Sequence, residues 1–162
     1  GSSDFAIEQF GLPVRNAVSD ISPQKFFIPG SLVKIHLDEN HPLSGGMQDE
    51  AAAYFVRSRA FKEVKLSRKG EGGRESTKLA PRPPVETIAT YDKENILMSG
   101  WALGEKHHIG GKAAAVRVTM GGGDIVLIGF RPQFRGQPRG TYKLLFNSLF
   151  LSGLDTYPSF TE

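Results

Sequence analysis

Gly121-Gly-Gly-Asp-Ile-Val-Leu-Ile-Gly-Phe-Arg-Pro-Gln-Phe-Arg-Gly-Gln-Pro-Arg-Gly-Thr-Tyr-Lys-Leu-Leu-Phe-Asn-Ser-Leu-Phe-Leu151 reads as strand, polar turn and helix. Residues 124–130 form a short, almost unbroken apolar run rich in β-branched side chains. That pattern suits a strand covered on both faces, as in a parallel or mixed α/β sheet. From Thr141 onward the spacing turns helical: Tyr142, Leu145, Phe146 and Leu149 fall at i, i+3, i+4 and i+7. Thr141 can cap this helix and Gly153 can end it. Between strand and helix lie three arginines and two glutamines. Open α/β sheets place their ligand sites in loops at the C-terminal ends of strands.

Working outward, residues 113–120 and 124–130 pair naturally as a hairpin through Gly121-Gly122-Gly123, where glycine supplies positive φ. A phosphate cradle would need a helix directly after those glycines, and a strand follows instead. Residues 86–91 read as a good strand, and Ser31 to Leu37 alternates with Val33, Ile35 and Leu37 on one face. Residues 51–56 read as another strand, continued or paired by residues 60–64. Near the start, Asp4 can cap a short helix whose Phe5, Ile7 and Phe10 face a core, and residues 14–30 read as a connection. Residues 65–84 carry six cations among glycines and prolines and read as a flexible basic surface loop. The tail after Gly153 is expected to be loose or to pack by Tyr157 and Phe160. With five to seven strands and two clear helices, a mixed sheet with the C-terminal helix on one face is the expected architecture.

The 162 residues fit one domain with a sizeable core, and 39% apolar with 23% charged residues is ordinary for a folded chain. A net charge of +3 is too mild to argue for nucleic acid, and no RNA-binding or zinc-finger motif accompanies it. With no cysteine there is no disulfide framework, thiolate metal site or cysteine nucleophile. No run reaches the roughly 18 apolar residues of a membrane span, and no signal peptide is read in this stretch, whose natural N-terminus is expected to be missing. Gly1-Ser2-Ser3 reads as an expression scar. The chain is therefore expected to be a piece of something larger.

Among candidate chemistries, His36-Leu-Asp-Glu39 matches H-x-x-E, by which a histidine and a glutamate can reach one zinc. His36 falls on the polar side of its strand, however, and Glu39 opens a turn. A third ligand would have to come from His41, His107 or His108, none at a recognisable spacing, so the solvated strand end is the expectation. The His107-His108 pair sits in a glycine-flanked turn and is expected to be solvent-exposed. There is no G-x-S-x-G for a serine hydrolase. The arginine loop remains: Arg131, Gln133, Arg135, Gln137 and Arg139 offer donors suited to carboxylate, phosphate or sugar hydroxyls, beside a helix N-terminus. The competing reading ties those arginines to backbone carbonyls and carboxylates within the fold.

The run from Gly129 to Leu149 supports a resemblance. So do Phe10-Gly-Leu-Pro-Val-Arg-Asn16, Pro29-Gly-Ser-Leu32, His41-Pro-Leu43 and Ser99-Gly-Trp101. Together they resemble the C-terminal class I glutamine-amidotransferase-like domain of bacterial zinc carboxypeptidase-like proteins, over most of residues 5–152. The resemblance implies a flavodoxin-like, three-layer α/β domain over residues 1–162, truncated at its N-terminus. It implies that zinc belongs to an upstream peptidase domain of the same chain, so no cofactor and no catalytic residue is expected in this segment. Class I amidotransferases use Cys, His and Glu, and here Gly129-Phe130-Arg131 stands where a Gly-His pair can follow the last strand. The expected role is a non-catalytic accessory domain that packs on the peptidase domain or presents its substrate, in a periplasmic or secreted protein. A carboxylate- or saccharide-binding module using the arginine loop is the alternative, and an independent metal hydrolase the third. Missing first strands would leave an exposed sheet edge open to self-association.

Overall fold

The computed structural model describes residues 1–64 and 83–153. Residues 65–82 of the expected basic loop, and Tyr157 and Phe160 of the tail, lie outside the described residues. Among the described residues eight strands form one sheet: β1 (Val14–Asn16), β2 (Ser31–Leu37), β3 (Glu50–Phe55), β4 (Phe61–Glu63), β5 (Val85–Tyr91), β6 (Leu97–Ser99), β7 (Ala113–Met120) and β8 (Gly123–Ile128). Among the described residues three α-helices accompany them: α1 (Ser2–Phe10), α2 (Glu105–His108) and α3 (Tyr142–Leu151).

Among the described residues every strand pairing is antiparallel, which overturns the flavodoxin-like three-layer α/β expectation and the mixed sheet with it. Parallel strands need a crossover of a dozen or more residues, usually a helix. The only α-helix between two described strands is α2, four residues long. The apolar run at residues 124–130 misled because it is indeed covered on both faces, but by two clusters flanking an antiparallel strand. Val126 and Ile128 lean on the larger cluster, while Ile125 and Leu127 belong to the smaller one.

The pairings also return on themselves. The path runs β3–β2–β5–β7–β8, and the chain after β8 then crosses back to β3. Gly129 donates to Ala114 O at 2.8 Å and accepts from Arg59 N at 2.5 Å; Arg131 donates to Tyr54 O at 3.1 Å. A Cβ at Gly129 would collide with Arg59 O and stand 2.9 Å from Ala114 O, so only glycine fits the crossing. Inside the ring lie Val33, Ile35, Ala53, Phe55, Tyr91 and Phe130. The smaller cluster, Leu12, Val14, Phe61, Val116, Val118 and Leu127, lies under α1.

Several local expectations hold. Ser31 to Leu37 alternates buried and half-buried as its sequence demands. The β7–β8 hairpin turns through Gly121-Gly122, with Gly121 at φ 62°. Others are corrected. Residues 61–63 neither continue nor pair with β3; they pair with β1, a strand within the expected connection, and touch β7. Asp4 lies inside α1 rather than at its cap, and Phe5 and Phe10 point to solvent, leaving Ala6 and Ile7 to pack.

The correction to α3 has the widest consequence. Its buried residues are Leu144 and Leu151, whereas Phe146 and Leu149 of the expected core stripe are 61% and 64% exposed. An almost uniformly apolar helix does not fix its own facing by periodicity. Polar anchors do so here: the Asn147 amide donates to Leu43 O at 2.9 Å and Gly45 O at 3.1 Å, and Lys143 donates to Gly46 O at 2.9 Å.

Candidate functional site

The arginine loop is built on an aromatic stack. The Phe134 ring lies 4.4 Å from Tyr54 of β3, nearly parallel at 9°, and the Arg131 and Arg135 guanidinium carbons stand 5.6 and 5.1 Å from its centroid. Such cation–ring contacts stabilise by roughly 0.5–1 kcal/mol at exposed sites. Arg135 holds φ 47°, followed by Gly136 at 72°, which turns the chain back. Thr141 does not cap α3 with its side chain; its hydroxyl serves the loop instead, at 2.8 Å from Pro132 O and 2.9 Å from Pro138 O.

This geometry separates the five expected binding residues. Arg131 and Gln133 line one cleft of about 430 Å³ that also holds Arg57 and Arg59. Gln137 and Arg139 line another, of about 470 Å³, between the edge of β3 and Lys143. Arg135 stays on the Phe134 ring, and the Arg139 Nε donates to Gly136 O at 3.3 Å. Tyr54, Phe134, Arg57 and Lys143 were not singled out from sequence. An aromatic residue between two arginines, Arg131 and Arg135, was the available signal for Phe134.

In the first cleft, Arg59 is already committed. Its Nε and Nη2 donate to Asp4 at 2.9 and 2.6 Å, and its Nη1 donates to Arg57 O. Burial alone would raise the Asp4 carboxyl, but Arg59 and the Gly1 amino group overrule it and hold it down at about 2.

His36 and Glu39 do not converge. His36 Nε2 stands 2.6 Å from Asp92 and its Nδ1 3.7 Å from Glu50. The His36 ring, then the Asn95 and Glu94 amides, hold the Asp92 carboxyl at about 2. Among the described residues no group of three or more His, Cys, Asp or Glu side chains could hold a metal ion. His107 is exposed on α2, while His108 packs edge-on against Phe26 at 5.5 Å.

His41 is the buried histidine. Its Nδ1 accepts from Leu43 N at 3.1 Å, which assigns the proton to Nε2, 3.2 Å from Glu86. Glu86 is shared with Arg117 at 3.1 Å, and Arg117 reaches Asp124 at 3.8 Å. Burial, then Arg117, push the imidazole below its usual value, with Glu86 opposing. This chain of charges clamps the 3-10 turn Pro42–Ser44, on which α3 rests, to the sheet.

Besides Phe5 and Phe10 of α1, further large apolar side chains of the described residues face solvent. Phe146, Leu149 and Phe150, the last 73% exposed, form the outer face of α3; Phe27, Met98 and Trp101 gather near β6. Among the described residues no helix is long and apolar enough to cross a membrane. Comparison with protein-family models, with curated proteins and with solved structures finds no match to this chain.

Proposed function

We propose that this chain is a non-catalytic accessory domain of a zinc carboxypeptidase-like hydrolase, packed on the peptidase domain of the same polypeptide. The family is proposed from the resemblance of residues 129–149 alone, and the flavodoxin-like fold that the resemblance implies is not carried over, because the sheet is antiparallel. The observation that carries the reading is the outer face of α3, where Phe146 and, one helical turn on, the adjacent Leu149 and Phe150 stand in solvent. Contiguous exposed apolar surface of this kind marks an interaction site. The helix beneath is tied to the sheet side by Asn147 and Lys143, so docking need order only the side chains of this face and not its backbone. Zinc and the hydrolytic groups belong, in this reading, to the peptidase domain.

The test is association with that peptidase domain. The wild-type chain is expected to co-elute with it, and Phe146→Ser with Leu149→Ser and Phe150→Ser to elute alone while keeping a cooperative unfolding transition. Peptidase or amidase turnover by the isolated chain, abolished by one point mutation, would overturn the reading. A second reading, carboxylate or saccharide binding by the Arg131 side of the loop, is favoured by Arg57 sharing the cleft with Arg131 and Gln133. Calorimetric titration with acidic sugars and short carboxylates tests it, and a flat response to all of them removes it.

A further inference from the structure

β3 pairs with β2 along one side and leaves part of the other side open. Lys34 of β2 turns its backbone away from β3: its N–H donates to Ile96 O at 2.7 Å, and its C=O accepts from Asp92 N at 3.1 Å. Ala52 lies opposite Lys34, so this is a non-hydrogen-bonded pair, and the Ala52 N–H and C=O point away from β2. Tyr54, two residues on, has the same outward direction, and there the C=O takes the Arg131 N–H. No described residue supplies an equivalent partner to Ala52. The neighbouring side chains, Ala51 and Ala53, are small.

This edge opens onto the 470 Å³ cleft, a volume within the range of ligand sites. The far wall carries Gln137, Arg139 and Lys143. The one acidic residue on the lining, Glu50, is engaged by Lys34 at 3.2 Å. An open strand edge offers one N–H and one C=O at every second residue. Lys143 has one ammonium N–H on Gly46 O and Arg139 has its Nε on Gly136 O, so the remaining ammonium N–H groups and the Arg139 Nη groups are the donors the basic wall offers a carboxylate.

We infer that the cleft takes a short extended peptide, added as a further strand on β3 at Ala52, with its free C-terminal carboxylate against Arg139 and Lys143. Main-chain hydrogen bonds to a sheet edge are an established way of gripping peptides irrespective of sequence, and the cations select the chain end. A second copy laid edge to edge would force two basic walls into the same space, so charge favours the anionic peptide end. The inference goes beyond the accessory reading and does not depend on it, because the outer face of α3 contributes nothing to the cleft. Loss of docking on a peptidase domain would leave peptide binding untouched, and the reverse.

The probe is N-acetyl-Thr-Val-Thr-Val with a free C-terminus, titrated against the full chain by calorimetry and by the backbone amide resonance of Ala52. Saturable binding with a shift at Ala52 is expected. Amidating the peptide C-terminus, or Arg139→Ala or Lys143→Ala in the protein, is expected to weaken binding about tenfold, the scale of one charge-assisted hydrogen bond. N-methylation at alternate peptide residues is expected to abolish it. An unmoved Ala52 resonance at millimolar peptide overturns the inference, as does equal binding of the N-methylated peptide. A concentration-dependent dimer that alone accounts for the Ala52 shift also overturns it, and assigns the edge to a second copy.

Discussion

The two longer helices are fastened to the same sheet by opposite chemistry. α3 sinks Leu144 and Leu151 into the larger cluster, and Asn147 ties it to two carbonyls of the turn beneath. α1 buries no residue; Ala6 and Ile7 lean on the smaller cluster, and Asp4 is gripped by Arg59 and, at 3.2 Å, by Asn16. The first attachment is apolar contact with a polar key that sets the facing. The second is charge at a half-exposed surface. The difference teaches that burial decides how strongly an element is held, while hydrogen bonds to fixed carbonyls decide which side it shows.

That contrast can be broken most directly in the core. Leu144→Ala removes a fully buried side chain and is expected to cost about 2–5 kcal/mol in urea unfolding, whereas Ile7→Ala, at a half-buried site, is expected to cost clearly less. Equal losses would mean that the helices are held alike. Next in size, Asn147→Ala leaves the Leu43 and Gly45 carbonyls without their donor, for about 1–3 kcal/mol, and frees α3 to roll. Faster amide exchange in residues 142–151 is the expected signature.

The charged attachment separates by acid and salt. The folded-state Asp4 value of about 2 lies below the ordinary 3.8, so its contribution is complete above about pH 4 and disappears as the pH falls toward 2. Asp4→Asn is expected to remove that acid-dependent portion and to cost about 1 kcal/mol at neutral pH after solvent screening. Molar salt should reproduce part of the loss in the parent chain and none in the variant.

The smallest effect concerns the α3 side. Burial and Arg117 hold His41 below the usual 6.5, so the unfolded chain takes up the proton first. Stability is therefore full above about pH 6.5 and declines as the pH drops below it, until the folded-state ring itself titrates. An imidazolium would also present a second N–H to the Leu43 N–H. His41→Asn keeps a side-chain acceptor at that point, and unfolding measured from pH 7.5 to 5.5 is expected to show a flatter slope for it. α3 thus loosens in mild acid and α1 only in strong acid.

Strand periodicity and turn chemistry were readable wherever one face decides the pattern. The alternation of Ser31 to Leu37 and the glycine turn between β7 and β8 needed no tertiary information. The strand at 124–128 needed it, because two separate clusters make an edge strand look like the centre of a parallel sheet. α3 is apolar nearly all round, and its facing is set by a carbonyl pair a hundred residues earlier in the chain, which no local window contains. The arginine loop was correctly located as a polar turn before a helix. Its division between two clefts follows from the Tyr54–Phe134 stack, a contact between the loop and a strand some eighty residues earlier in the chain. His41 looked like one turn histidine among several until Leu43, Glu86 and Arg117 gave it a role.

Closure of the ring makes the order of synthesis matter. β3 is seamed to the segment that follows β8, so a nascent chain carries an incomplete sheet until residue 131 has left the ribosome. During that interval the outer rim of β3 can zip onto any other extended chain, including a sister polypeptide. Slow translation across residues 56–128 should therefore lower the soluble yield, and a chaperone that shields extended segments should restore it.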